Sequence, residues 1–191
     1  MAAQGKIKGT LLVHLKSYAL RNHGETLWNE SLSDLPLNDR KVLAEPLIVG
    51  VWYPVGVWNR ALHAYLNHNF NNPGRAMTSF AQYVAAEDLS TLFKLVLRVG
   101  SPEFVLTRTD SLYNRYFDTG RWTAQKQGTR AWQCELNSPI DEEQGPGTLS
   151  CNEGISAWVR RALELTGARA RVDHVRCRFQ GSPVCLYEVS W

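Results

Sequence analysis

Three of the four cysteines in this 191-residue chain, Cys151, Cys177 and Cys185, stand close together near its end, and His174 lies just ahead of the second. Three thiolates and one imidazole complete a tetrahedral zinc shell, and a shell filled by protein side chains has no open position, which points to structure over catalysis. Two other readings stay open on residue type alone. The cysteines could be small buried hydrophobes, or Cys177 and Cys185 could form a disulfide, which a reducing compartment disfavours. Cys134 stands apart from the group and reads as structural.

The elements around these residues must bring them together. Leu149 to Thr166 predicts a helix with Cys151, Ile155, Trp158, Val159 and Ala162 on one stripe, ended by Gly167. Cys151 falls in its first turn, where the helix dipole favours a thiolate. Arg169 to Phe179 and Val184 to Trp191 read as strands joined by Gln180-Gly181-Ser182-Pro183, so Cys177 and Cys185 face each other across a hairpin. Alternation along the first strand puts His174 on the opposite side from Cys177. A metal shell therefore requires a bulge near His174.

The second feature is aromatic. Trp52, Tyr53, Trp58 and Tyr65 sit among Val51, Val55 and Val57, and they pack as an aromatic core, which is the commoner use of such residues, line a ligand pocket, or form the face of a homodimer or paralogue pair through Val49 to Leu66. Helices are predicted over Lys6 to Asn22, stopped by Gly24, over Glu25 to Leu32, from an Asn38 or Asp39 cap to Glu45-Pro46, and over Pro54 to Phe70, ended by Asn71-Asn72-Pro73-Gly74. Ala86 to Val99 reads as the strongest helix, with Glu87 and Asp88 as charges of its first turn. Ser101-Pro102-Glu103 caps another that reaches Tyr113, Arg121 to Gln125 and Thr129 to Leu136 form a hairpin, and Ser138 to Gly147 is a surface loop. These elements make a single α+β domain over residues 1–191, with helices in front and a small antiparallel sheet behind.

Lys+Arg 21 against Asp+Glu 18 leaves a net charge of +3, too little to argue for nucleic acid. No apolar run is long enough to cross a membrane and the start lacks a secretory signal, so a cytoplasmic location is expected. His63 and His68 are about 140 degrees apart around a helix and do not share a metal, and His14 and His23 read as ordinary. No serine nucleophile elbow, phosphate loop or zinc-protease motif is present, so no enzymatic activity is expected.

The segment from Cys151 to Cys185 resembles the zinc-binding end of vinyl-reductase-type (4-vinyl reductase) domains, including those of aromatic-sensing bacterial activators. Cys151, Gly167, Cys177, Gly181 and Cys185 match that pattern, and His174 stands where it has an acidic ligand. The opening KGTLLVHLKSYALRNHGETLWNESL and the stretch Ser101-Pro102-Glu103-Phe104 to Asp110-Ser111-Leu112-Tyr113 resemble haem-nitric-oxide-binding domains, with Tyr113 at the haem histidine position. The Tyr-x-Ser-x-Arg propionate signature of that family is absent from the following strands, so no haem is expected. Both groups share a fold with the Bet-family subunits of the TRAPP tethering complex, and a myxobacterial paralogous group is similar in its KGTLL opening. The resemblance implies a non-enzymatic regulatory or protein-interaction module with a structural zinc held by Cys151, His174, Cys177 and Cys185. The alternative is a sensor of a small hydrophobic or aromatic ligand. Because sensors of this type are usually fused to an output domain, a chain ending at Trp191 favours partner binding.

Overall fold

The computed structural model describes residues 5–68, 70–92, 100–138 and 145–191. Short strand β1 (Lys6–Lys8) pairs antiparallel with β2 (Trp52–Pro54), so the first residues expected in a helix are extended instead. The cause is tertiary: Ile7 is completely buried opposite Tyr53. Helix α1 (Gly9–Ser31) follows, bent where Gly24 takes φ +84°, a conformation open to glycine and costly for other residues. The break expected there is thus a kink between two helical pieces. Helix α2 (Leu37–Ala44) is tied to α3 (Val55–His68) by Asp39, which is buried in the first turn and accepts from Arg60 Nη2 at 2.9 Å, so Asp39 is an ion-pair residue rather than a cap.

Helix α4 (Pro73–Leu92) starts well before the predicted Ala86. Asn72 Oδ1 accepts from the Arg75 backbone N–H at 2.9 Å and Pro73 opens the first turn. The same Asn-Pro pair that ends one helix caps the next. Glu87 and Asp88 are therefore not first-turn charges. The predicted continuation to Val99, with Phe93, Val96 and Leu97, lies outside the described residues, as does most of the predicted loop from Ser138 to Gly147.

Two short helices, α5 (Pro102–Leu106) and α6 (Thr109–Tyr113), lead to the sheet. Strands β3 (Arg121–Gly128), β4 (Ala131–Asn137), β5 (Arg171–Arg176) and β6 (Cys185–Ser190) pair antiparallel in the order β3-β4-β6-β5. Between β4 and β5 a π-helical turn (Ser150–Ile155) runs directly into α7 (Ser156–Glu164). The architecture is α+β, as expected. One hydrophobic cluster joins α1, α3 and α4, a second joins the sheet to α7, and Trp158 packs against both.

Candidate ligand cavity and metal centre

The π-helical turn widens the backbone at Cys151 and buries its side chain completely. Such single turns occur often at functional sites. Met77 of α4 closes on Gly154, where an added Cβ would come within 2.3 Å of Met77 Cε, and Thr78 Oγ1 donates to Glu153 Oε2 at 2.9 Å. These contacts hold the turn against the helical layer. Opposite it, β5 and β6 lose register between His174 and Arg176, the bulge that a shared site requires.

As a result the donor atoms of Cys151, His174, Cys177 and Cys185 all lie within 4.8 Å of one another. The Sγ atoms of Cys185 and Cys151 are 3.3 Å apart, and the Arg178 backbone N–H donates to Cys185 Sγ at 3.5 Å. His174 Nδ1 is engaged by Asn152 Oδ1, leaving buried Nε2 without a hydrogen-bond partner as the ring atom available to a metal. The hydrogen bond between the Cys151 and Cys185 sulfurs brings the Cys185 pKa down to about 5 against the opposing effect of burial. Burial pushes Cys177 up. No disulfide joins Cys177 to Cys185; both are free thiols. Cys134 is buried in the sheet core, where burial pushes its thiol up to about 12.

The second candidate site is a cavity of about 160 Å³ between the helical layer and the sheet. Its wall is mainly apolar, with Trp58 and Phe80 from the helices, Trp158 from α7, and Trp122 and Leu136 from the sheet. Polar groups gather in one corner. There Tyr113 Oη donates to Ser138 Oγ at 3.1 Å and Arg178 Nη1 donates to the Ser138 carbonyl, and all three residues line the cavity. Gly120, at φ +92°, leaves room for this corner, since a Cβ there would meet Tyr113 Oη at 2.7 Å. Elsewhere in the wall, Tyr116 donates to Asp88 Oδ2, and His14 Nε2 lies 2.7 Å from Asp88 Oδ1. His14 and Asp88 thus belong to a network behind the cavity. Burial and the Asp88 charge push the Tyr116 pKa well above that of a free phenol.

The two sites touch. Ser150, Gly154 and Ile155 of the cysteine-bearing turn line the cavity. Trp122 stacks on Tyr187 at 5.5 Å, and Tyr187 on His174 at 4.6 Å, so a column of rings runs from cavity wall to metal candidate.

The predicted aromatic group splits up. Trp58 lines the cavity, while Tyr65 is completely buried in the helical core against Phe70, its ring centroid 5.3 Å away. Neither can form a dimer face, because the chain covers them itself. Tyr53 accepts the Ile48 backbone N–H at 3.0 Å, and Trp52 lies at the surface under Lys8 Nζ. Arg178, Ser138, Trp122 and Tyr116 also line the cavity; they are distant in sequence and have no shared period to reveal them.

No family model matches the sequence, and no curated protein matches it. Solved structures do. An H-NOX protein from S. oneidensis in the Fe(II)NO state has a TM-score of 0.70 at 12% identity, over 96% of this chain and 98% of the other. A mutant H-NOX protein from K. algicida, Fe(II) and unliganded, gives 0.69 at 8% identity, over 96% and 95%. A structure probing haem distortion in the H-NOX family gives 0.71 at 11% identity, over 96% and 94%. At these identities the likeness shows the fold, which agrees with the haem-nitric-oxide-binding resemblance and is silent on the vinyl-reductase-type, TRAPP and myxobacterial ones. The expectation of no haem is corrected by it. That expectation rested on a missing sequence signature, whereas the whole fold is one whose matched members include haem proteins. The lining fits haem in kind, with apolar walls, the Tyr113 phenol and the Arg178 cation. A macrocycle needs more room than the cavity's volume of about 160 Å³.

Proposed function

We propose that the chain is a non-enzymatic sensor domain that takes a small flat apolar or aromatic ligand between its helical layer and its sheet. The observation that supports this reading is the cavity. Its volume of about 160 Å³ and its ring-lined wall match the scale at which an apolar cavity of about 150 Å³ stays dry and accepts benzene. Calorimetric titration with toluene tests it: saturable binding at one site per chain is expected, and no heat with no protection against thermal unfolding would refute it.

Haem is the second reading, favoured by Tyr113. When bound, haem would supply an iron able to take a gaseous ligand; Tyr113 would be its protein ligand, since tyrosinate ligates ferric iron, and Arg178 would meet a propionate. Haemin titration decides it through a Soret band that is lost in Tyr113→Phe.

The Cys151, His174, Cys177 and Cys185 cluster suits a structural zinc. A tetrahedron with Zn–S bonds of about 2.3 Å has edges near 3.8 Å, so donors within 4.8 Å of one another, with the Cys151 and Cys185 sulfurs 3.3 Å apart, need only small shifts in either direction. Pairing with a second copy or a paralogue would use the exposed apolar stretch of Ile48, Val49, Val51 and Trp52. No described helix is long and apolar enough to cross a membrane.

A further inference from the structure

We infer that the metal site governs the cavity: zinc held by Cys151, His174, Cys177 and Cys185 tightens the binding of an apolar ring between the layers, and the ring tightens zinc in return. This rests on the cavity being a ligand site and the cysteine cluster a zinc site, and adds how each acts on the other. Two structural links join them.

The first link is the π-helical turn. Cys151 belongs to the donor set, whereas Ser150, Gly154 and Ile155 of the same turn line the cavity. A π turn closes its hydrogen bonds over five residues where an α turn closes them over four, so it holds one residue more. Relaxing to α pitch would rotate Ser150 and Cys151 by about 100° round the axis relative to α7. That rotation takes Cys151 away from the other three donors and Ser150 away from the wall. The turn thus offers two discrete arrangements, and metal and ring both select the same one.

The second link is Tyr187. It is completely buried on β6, directly across from His174 of β5, and the two rings stack at 4.6 Å. Trp122 of the cavity wall stacks on the same tyrosine at 5.5 Å. Tyr187 Oη also donates to the Cys151 carbonyl at 3.4 Å, which ties the rings to the turn. An imidazole fixed by a metal therefore steadies Tyr187, and through it the indole of Trp122. Tyr187 is a positioning residue in this scheme. A wall ordered in advance costs a ligand less to bind, and linkage makes the benefit mutual.

The test is calorimetric titration with toluene of zinc-loaded protein and of protein stripped by a chelator. Toluene should bind the zinc-loaded form about fivefold or more tightly, the lower end of couplings measured between sites. Tyr187→Leu, which removes the ring between Trp122 and His174, should shrink that difference while zinc stays bound. Equal affinity for toluene with and without zinc in the wild type would overturn the coupling. A full difference kept in Tyr187→Leu would overturn the part given to Tyr187. Failure of the zinc-loaded protein to bind toluene would refute the cavity reading, and failure to take up zinc would refute the metal reading, each taking the coupling with it. Should the stripped protein or Tyr187→Leu not fold, cobalt in place of zinc decides the matter. Its visible absorption should shift saturably as toluene is added to the wild type, and unchanged bands at saturation would overturn the coupling.

Discussion

The metal candidate and the cavity share the π-helical turn, yet they are built in opposite ways. The thiol and imidazole donors come from one short stretch of chain, closed by a hairpin and a helix. The cavity is assembled from residues between Leu11 and Arg178, drawn from both hydrophobic clusters. A site made by local elements depends on a few side chains whose loss removes it at once. One made between layers depends on how those layers pack, and single substitutions reshape it.

The largest effect should come from breaking the local site. Cys185→Ser should lose the zinc and several kcal/mol of stability, because structural zinc binding is folding free energy. Elemental analysis and thermal melts check this, and equal melting with and without a chelator would detach the cluster from stability. In the cavity, Trp58→Ala should cost about 3–5 kcal/mol, as truncation of a buried tryptophan does. It should also admit a two-ring ligand that the wild type refuses, measured by denaturant titration and by calorimetry with naphthalene.

Gly120→Ala comes next, at about 1–3 kcal/mol, because alanine is strained at φ +92° and presses on Tyr113 Oη. Toluene binding should weaken with it, while zinc content stays the same. The smallest effect separates buried from surface groups by pH. Burial raises the pKa of Tyr65, and burial with the Asp88 charge raises that of Tyr116. For acids whose folded pKa lies above the unfolded one, the stabilising contribution is present below the unfolded value of about 10 and is lost as pH rises beyond it. Alkaline unfolding should therefore begin near pH 10, later in Tyr116→Phe, as followed by circular dichroism.

The same contrast explains what could be read in the sequence. The donor set was legible down to the bulge at His174, because its spacing lies within one helix and one hairpin. The α+β class and the sheet hairpins were legible from changes of period. The start of α4 was hidden because Asn72 and Pro73 serve as an end and a beginning at once. Trp52 to Tyr65 reads as one group, whether core, pocket or interface, because adjacency in sequence suggests adjacency in space. In fact β2 ends and α3 begins between Tyr53 and Trp58, which sends Trp52 out and Trp58 in. In the polar corner only Tyr113 had a signal, its place in the haem-nitric-oxide-binding resemblance; Ser138 and Arg178 had none, since they meet it only when α6 and the sheet pack together.

Nuclear magnetic resonance of the indole N–H groups during a benzene titration tests the central claim most directly, because the tryptophans report by position. The cavity account expects saturable shifts at Trp58, Trp122 and Trp158 and a still signal at surface-exposed Trp52. Shifts confined to Trp52, or no saturable shift at any indole, would contradict it.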